Sequence, residues 1–192
     1  LINSKNANAL TGRKGIEDIN TLFSQLDFGS LKLVNPIMSS TGVIGNRLPM
    51  EKLVAGAKRF NLNAKSGENL SKAIMTTDAY PKSCMYEVKL EDGSSFKIGA
   101  VAKGAGMINP NLATMLCFIC TDAAAPFADI MEALKINSET TFNAISVDGD
   151  TSTNDTVMVL ANGNSNAYDK EAFAEVLRLV MHDMAMLMVA DG

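Results

Sequence analysis

Apolar and polar positions follow two different rhythms along the chain, and the switches between them outline a mixed fold. Ile16, Ile19, Phe23 and Leu26 recur at helical spacing and predict an amphipathic helix with these four on its inner face. Pro49 suits the first turn of a second helix, one that buries Met50, Leu53, Val54 and Ala57. Between them, residues 31–45 read as extended segments broken by Pro36 and closed by Ser39-Ser-Thr-Gly-Val-Ile-Gly45. From Cys84 the period shortens to two. Met85-Tyr-Glu-Val-Lys-Leu90 alternates, Asp92-Gly93 signals a hairpin turn, and Phe96-Lys-Ile-Gly-Ala-Val101 returns. Met115–Cys120 reads as an apolar strand, and Val157–Ala161 as a short buried one ended by Asn162-Gly163. Pro126 opens a helix with Phe127, Ile130, Met131 and Leu134 inward. The last helix runs from about Asp169 to Val189, with Phe173, Val176, Leu177, Val180, Met184 and Leu187 facing the core. Residues 139–150 fit helix and strand equally. The sum is an α/β chain of mixed α+β layers whose strands include a hairpin. There is no internal repeat, low-complexity tract or linker, so residues 1–192 read as a single unit.

Composition narrows the function. At 47% hydrophobic and 20% charged residues, the chain has a globular rather than a disordered make-up. Its net charge is −4 and its basic residues are scattered, which argues against a nucleic-acid partner. No apolar run reaches bilayer length and no stretch reads as a signal peptide, which argues against a membrane partner. Cys117 and Cys120 form C-x-x-C, but on a strand they point to opposite faces. With Cys84 they read as free thiols of a reducing compartment rather than a zinc site. His182, the only histidine, lies on the polar face of the last helix beside Asp183. Acid–base chemistry must therefore come from another group. The chain opens on Leu1-Ile-Asn and closes on Asp191-Gly192, and it reads as a fragment.

Four polar motifs stand out. Ser40-Thr41-Gly42 can bring a hydroxyl and a backbone N–H to one point, as an oxyanion hole requires, or simply make a turn. Met75-Thr-Thr-Asp78 can bind substrate, cap a helix or form a turn. In Lys103-Gly-Ala-Gly-Met-Ile-Asn-Pro-Asn-Leu-Ala-Thr114, glycines free the backbone, Pro110 fixes its direction, and Ala113-Thr114 meets the following strand. A threonine there can attack its own preceding carbonyl. Hydrolysis of the resulting ester frees an α-amine with an ordinary pKa of about 7.7–8.0, able to serve as base for its own hydroxyl. The plain alternative is a Gly-rich loop entering a strand. Val147-Asp-Gly-Asp-Thr-Ser-Thr-Asn-Asp155 crowds three carboxylates and three hydroxyls into nine residues. It lacks the later glutamate of an EF-hand and reads as an ordered polar loop lining a site, or as a well-capped turn.

Taken in order, these blocks resemble the glutamate N-acetyltransferase family, also called ornithine acetyltransferases, of arginine biosynthesis. Lys103 to Leu116 resembles its self-cleavage motif. Ser40–Gly45, Ile74–Asp78, Ser146–Asp155, Leu160-Ala-Asn-Gly163 and, early in the chain, Asn3–Asn8 resemble other family blocks. The resemblance covers essentially the whole chain. It implies a self-processing, N-terminal-nucleophile-like architecture cut between Ala113 and Thr114. Residues 1–113 would then end an α chain and residues 114–192 begin a β chain. It further implies Thr114 as nucleophile, Thr41 and Gly42 as the oxyanion-hole pair, and Thr77 and Lys103 as substrate-binding residues. Acetyl would pass from N-acetylornithine to Thr114 and then to glutamate, with ping-pong kinetics.

The resemblance implies no metal and no cofactor, with acetyl-CoA as a further acetyl donor in some members. It implies a heterotetramer of the two pieces, and a cytoplasmic location, or the mitochondrial matrix in a eukaryote. Asn109 and Leu112 depart from the usual Ala and Met of the motif. Family chains extend at both ends. A Gly-Glu-Gly-Ala-Thr-Lys block with a substrate-binding glutamate, and a later asparagine, normally follow the final Asp-Gly. Two alternatives stay open beside the transferase. One is an amidohydrolase or aminopeptidase of the same architecture, with water as acyl acceptor. The other is a catalytically incomplete fragment.

Overall fold

A hairpin and a parallel strand pair organise the protein in two different ways. A computed structural model describes residues 1–29, 32–108 and 115–192, and these divide into two units, Leu1–Ser66 and Gly67–Gly192. As expected from the sequence, the architecture is mixed α/β.

In the first unit, β1 (Ile2–Asn6) runs parallel to β2 (Ser39–Val43), in register from Ile2 opposite Ser39 to Asn6 opposite Val43. Polar side chains reinforce this short pair. The Asn3 amide donates to the Asn6 carbonyl at 2.9 Å and to Ser40 Oγ at 3.0 Å, and the Ser40 hydroxyl donates to the Asn6 carbonyl. The connection carries α1 (Gly12–Ser24), and α2 (Met50–Ala57) follows.

The buried stripe of α1 is Gly15, Asp18 and Leu22, not the expected Ile16 face; Ile16 is 64% exposed. Polar contacts select this face. A Cβ on Gly15 would stand 2.0 Å from Thr11 Oγ1, so the helix lies directly against that side chain. Asp18 is held by Arg47, whose Nε donates to it at 2.9 Å. In α2, Pro49 precedes the first turn as expected. Ala57 alone is fully buried there, while Met50, Leu53 and Val54 are half-buried.

The second unit opens with α3 (Gly67–Ala73) and continues as a sheet ordered β3 (Lys82–Lys89), β4 (Ser95–Lys103), β5 (Leu116–Thr121) and β6 (Thr156–Ala161). The β3–β4 hairpin is the one its alternation predicts. Gly93 takes φ +85° in the turn, which suits glycine, and Asp92 accepts the Ser94 N–H at 2.8 Å. β5 is antiparallel to β4, and β6 is parallel to β5.

The crossover from β5 to β6 contains α4 (Phe127–Thr140) and a 3-10 turn, Phe142–Ala144. These resolve the first part of the ambiguous 139–150 stretch. α5 (Lys170–Val189) closes the unit, capped by Asp169 accepting the Ala172 N–H at 2.8 Å. The core gathers Phe96, Ile98, Cys117 and Ile119 from the sheet with Phe173, Leu177, Val180 and Met184 of α5.

Two expectations need correction. α4 buries Ile130, Ala133 and Asn137 while Phe127 and Met131 are exposed, because the Asn137 amide is drawn inward to the Ala174 carbonyl, 3.0 Å away. β6 is half-exposed rather than buried because it forms the sheet edge. Cys117 is buried and Cys120 exposed, as a strand requires. Among the described residues, no helix is long and apolar enough to cross a membrane.

Candidate active site

The expected nucleophile Thr114 and its neighbour Ala113 lie outside the described residues, as do Asn109 and Leu112. The structure defines what stands on either side of them. Lys103 ends β4 opposite Leu116, the first residue of β5. Its side chain is only 2% exposed, and its Nζ lies 3.6 Å from Asp78 Oδ2.

Asp78 is the hub of a buried charge network. Oδ1 accepts the Gly104 N–H at 2.6 Å and the Lys82 ammonium at 3.0 Å, and Oδ2 accepts the Thr76 N–H at 3.0 Å. Lys82, fully buried, also pairs with Asp191 just beyond α5, and Asp191 accepts the Ala79 N–H at 3.0 Å. Buried charges persist when each has partners of this kind. Burial by itself would raise the Asp78 carboxyl. The Thr76 and Gly104 N–H groups, Lys103 and Lys82 outweigh it and hold the carboxyl below its ordinary value. For Lys103, burial outweighs the attraction of Asp78 and lowers the ammonium pKa. The arrangement fixes a desolvated cation at the head of the Gly-rich run, where it can orient a carboxylate or stabilise developing negative charge.

The polar loop before β6 grips both flanks of residues 109–114. On the upstream side, Asp148 accepts the N–H groups of Met107 and of Ile108, the latter at 2.8 Å. The Ile108 carbonyl accepts the Val147 N–H at 2.7 Å and the Ser146 hydroxyl at 3.3 Å. Downstream, Asp155 Oδ1 accepts the Met115 N–H at 2.8 Å, and Thr156 donates to the Met115 carbonyl at 3.1 Å. Burial pushes the Asp155 carboxyl up to about 6, against the Met115 N–H, the nearby Ser152 hydroxyl and the charge of Lys103. Its Oδ2 is buried without a hydrogen-bond partner among the described residues. The loop is thus ordered by hydrogen bonds to Met107, Ile108 and Met115.

In the first unit, Thr41 is 1% exposed and pairs with Ser4. Gly42 has φ +125°, and a Cβ there would stand 2.2 Å from the Lys5 carbonyl carbon. Only glycine fits that position. In the second unit, Thr77 is exposed and adjoins Asp78, which in turn holds Lys103. Sequence reasoning noted Asp78 and Asp155 as motif members without assigning them partners, and it missed Lys82 and Asp191. Asp191 meets Lys82 across 109 positions, and no local spacing announces such a pair.

The ArgJ family matches residues 1–192. The arginine biosynthesis bifunctional protein ArgJ of Wolinella succinogenes is 56% identical over 192 residues, covering 100% of this chain and 48% of that protein. A glutamate N-acetyltransferase of Methanothermobacter thermautotrophicus is 43% identical over 196 residues, covering 99% and 48%. ArgJ of Listeria monocytogenes is 40% identical over 203 residues, covering 100% and 50%. The chain thus spans about half the length of the curated relatives it matches. With every one of its residues matched, the chain belongs to the ArgJ family.

Proposed function

We propose that this chain carries the nucleophile-bearing part of an acetyltransferase of arginine biosynthesis. In this reading the chain is cut between Ala113 and Thr114, and the freed α-amine of Thr114 takes the proton of its own hydroxyl. The hydroxyl oxygen adds to the acetyl carbonyl of N-acetylornithine. Thr41 and Gly42 hold the oxyanion, the C–N bond breaks, and ornithine leaves with a proton. The amine of glutamate then attacks acetyl-Thr114 and departs as N-acetylglutamate. Thr77 and Lys103 bind substrate. The same acetyl-threonine gives acetyl-CoA a route in as alternative donor, and the two pieces pair within a heterotetramer.

The observation that carries this reading is Lys103. A buried ammonium fixed by Asp78 opens the run that leads to Thr114, in a chain matched throughout by the ArgJ family. The test compares the complete gene product carrying this sequence with its Thr114→Ala variant. Intact mass is expected to show two pieces split at residue 113 in the wild type and one chain in the variant. Incubation with N-acetylornithine is expected to release ornithine continuously only when glutamate is present. An uncut wild type would sink the reading. Glutamate-independent release would replace the transferase with a hydrolase.

A further inference from the structure

Lys5 lies inside β1, paired across the ladder with Gly42, yet its φ is +85°. Strand residues sit at negative φ, and the left-handed well open to a residue with a Cβ is small and costly. Among the described residues other than glycine, Lys5 alone takes a positive φ within a strand; Asn8 and Leu10, at +48° and +56°, follow in the connection. Its side chain is exposed, so side-chain burial does not select this conformation.

The anchors on either side of Lys5 select it. Before it, the Ser39 N–H donates to the Leu1 carbonyl at 2.9 Å, and the Asn3 amide donates to Ser40 Oγ at 3.0 Å. Directly after it, the Asn6 carbonyl accepts the Asn3 amide at 2.9 Å and the Ser40 hydroxyl. The Asn6 amide donates to the Asn46 carbonyl at 2.9 Å, and the Ala7 N–H to the Val43 carbonyl at 2.9 Å. β1 is thus pinned on both sides, and Lys5 takes up the remaining turn of the backbone. Strain of this kind persists only where the surroundings over-determine it, and such positions gather at functional sites.

The consequence falls on Gly42. A Cβ there would stand 2.2 Å from the Lys5 carbonyl carbon and 2.5 Å from both the Lys5 Cα and its carbonyl oxygen, so the Lys5 backbone lies directly against the Gly42 Cα. Gly42, at φ +125°, belongs to a residue type that moves freely among backbone conformations. Lys5 carries a Cβ and is confined to its narrow well. It forms a stiff wall against a residue with little stiffness of its own.

We infer that Lys5 is a positioning residue whose left-handed backbone holds the Gly42 peptide in the setting that oxyanion binding requires. This inference rests on the proposed function above, in which Thr41 and Gly42 hold the oxyanion. A donor in that role works by being oriented before charge develops. Glycine at position 5 would relieve the strain and lose the wall together, whereas the ammonium of Lys5 takes no part.

The experiment uses the complete gene product with N-acetylornithine and glutamate, reading steady-state ornithine release and the urea midpoint of each variant. Lys5→Gly is expected to hold or raise the midpoint, because glycine takes φ +85° without strain. Its kcat is expected to fall about tenfold, with KM for N-acetylornithine within about twofold of wild type. Lys5→Ala restores the Cβ without the charge and is expected to recover kcat to within about threefold of wild type. A residue that serves stability alone would not lose rate while keeping its midpoint. Wild-type kcat in Lys5→Gly would overturn the inference. So would a lower midpoint in Lys5→Gly, which would deny the strain, or a loss in Lys5→Ala as large as in Lys5→Gly, which would assign the effect to the ammonium. Thr41→Ala tests the reading beneath: a loss of about 100-fold supports the oxyanion pair, and a rate within about twofold of wild type would remove the pair and this inference with it.

Discussion

The two units reach order by different routes. In Gly67–Gly192, a sheet and two helices bury a continuous apolar core, and the charge network of Asp78, Lys82, Lys103 and Asp191 is enclosed alongside. Among the described residues of Leu1–Ser66, the fully buried apolar side chains are few: Ala7, Leu22, Leu48 and Ala57. The parallel strand pair there is tied by Asn3, Asn6 and Ser40, and the main helix turns Asp18 inward. The second unit draws on area removed from water. The first draws on close backbone approach and on satisfied hydrogen bonds, the latter contributing about 1 kcal/mol each.

Three substitutions can break or sharpen this contrast. The largest effect is expected in the second unit from Lys82→Met, which removes the partner shared by Asp78 and Asp191. Leaving two buried carboxylates underpaired costs about 3–5 kcal/mol, read as a lower urea midpoint. Adding Asp191→Asn should recover part of the loss. A midpoint within experimental error of wild type would show that the network contributes nothing to stability.

Gly42→Ala comes next. It forces a Cβ against the Lys5 backbone at φ +125° and is expected to cost about 2–3 kcal/mol. Hydrogen exchange should localise the loss to β1 and β2, and uniform loosening of both units would contradict the separation drawn here. Asn3→Ala is the mildest, at about 1 kcal/mol, because it removes side-chain hydrogen bonds from a half-buried site. An effect as large as that of Gly42→Ala would mean that the asparagine frame, rather than the backbone approach, holds the pair together.

The same contrast decides how much could be read from sequence. The β3–β4 hairpin and α5 were legible because their apolar periods coincide with the faces they bury: Phe96 and Ile98 on one, Phe173, Leu177 and Val180 on the other. α1 was legible as a helix but not in its orientation. Ile16 and Ile19 carry the apolar period, whereas Gly15 and Asp18 make the deciding contacts. α4 misled for a similar reason, since Asn137 is buried by one hydrogen bond while Phe127 faces outward. β6 reads as a core strand because periodicity does not reveal which strand ends at an edge.

The site divides along the same line. Lys103 was singled out by its motif and resemblance, and the structure adds its burial and its pairing with Asp78. Lys82 and Asp191 were not, because a pair 109 positions apart is created by the closing of the fold. Asp148 and Asp155 stood in a visibly polar run, but only the three-dimensional arrangement shows each holding a different flank of residues 109–114.

The ladder between β4 and β5 pairs Ile98 with Thr121 through Lys103 with Leu116. In an uncut chain that ladder closes a short loop, and its formation is unimolecular. The cut proposed between Ala113 and Thr114 would leave every rung in place but assign its two sides to different molecules. The same hydrogen bonds would then become a subunit interface, and refolding would acquire a concentration dependence that first folding lacks. Such a maturation would be a one-way passage: the processed protein would keep a fold that its separated pieces must meet again to rebuild.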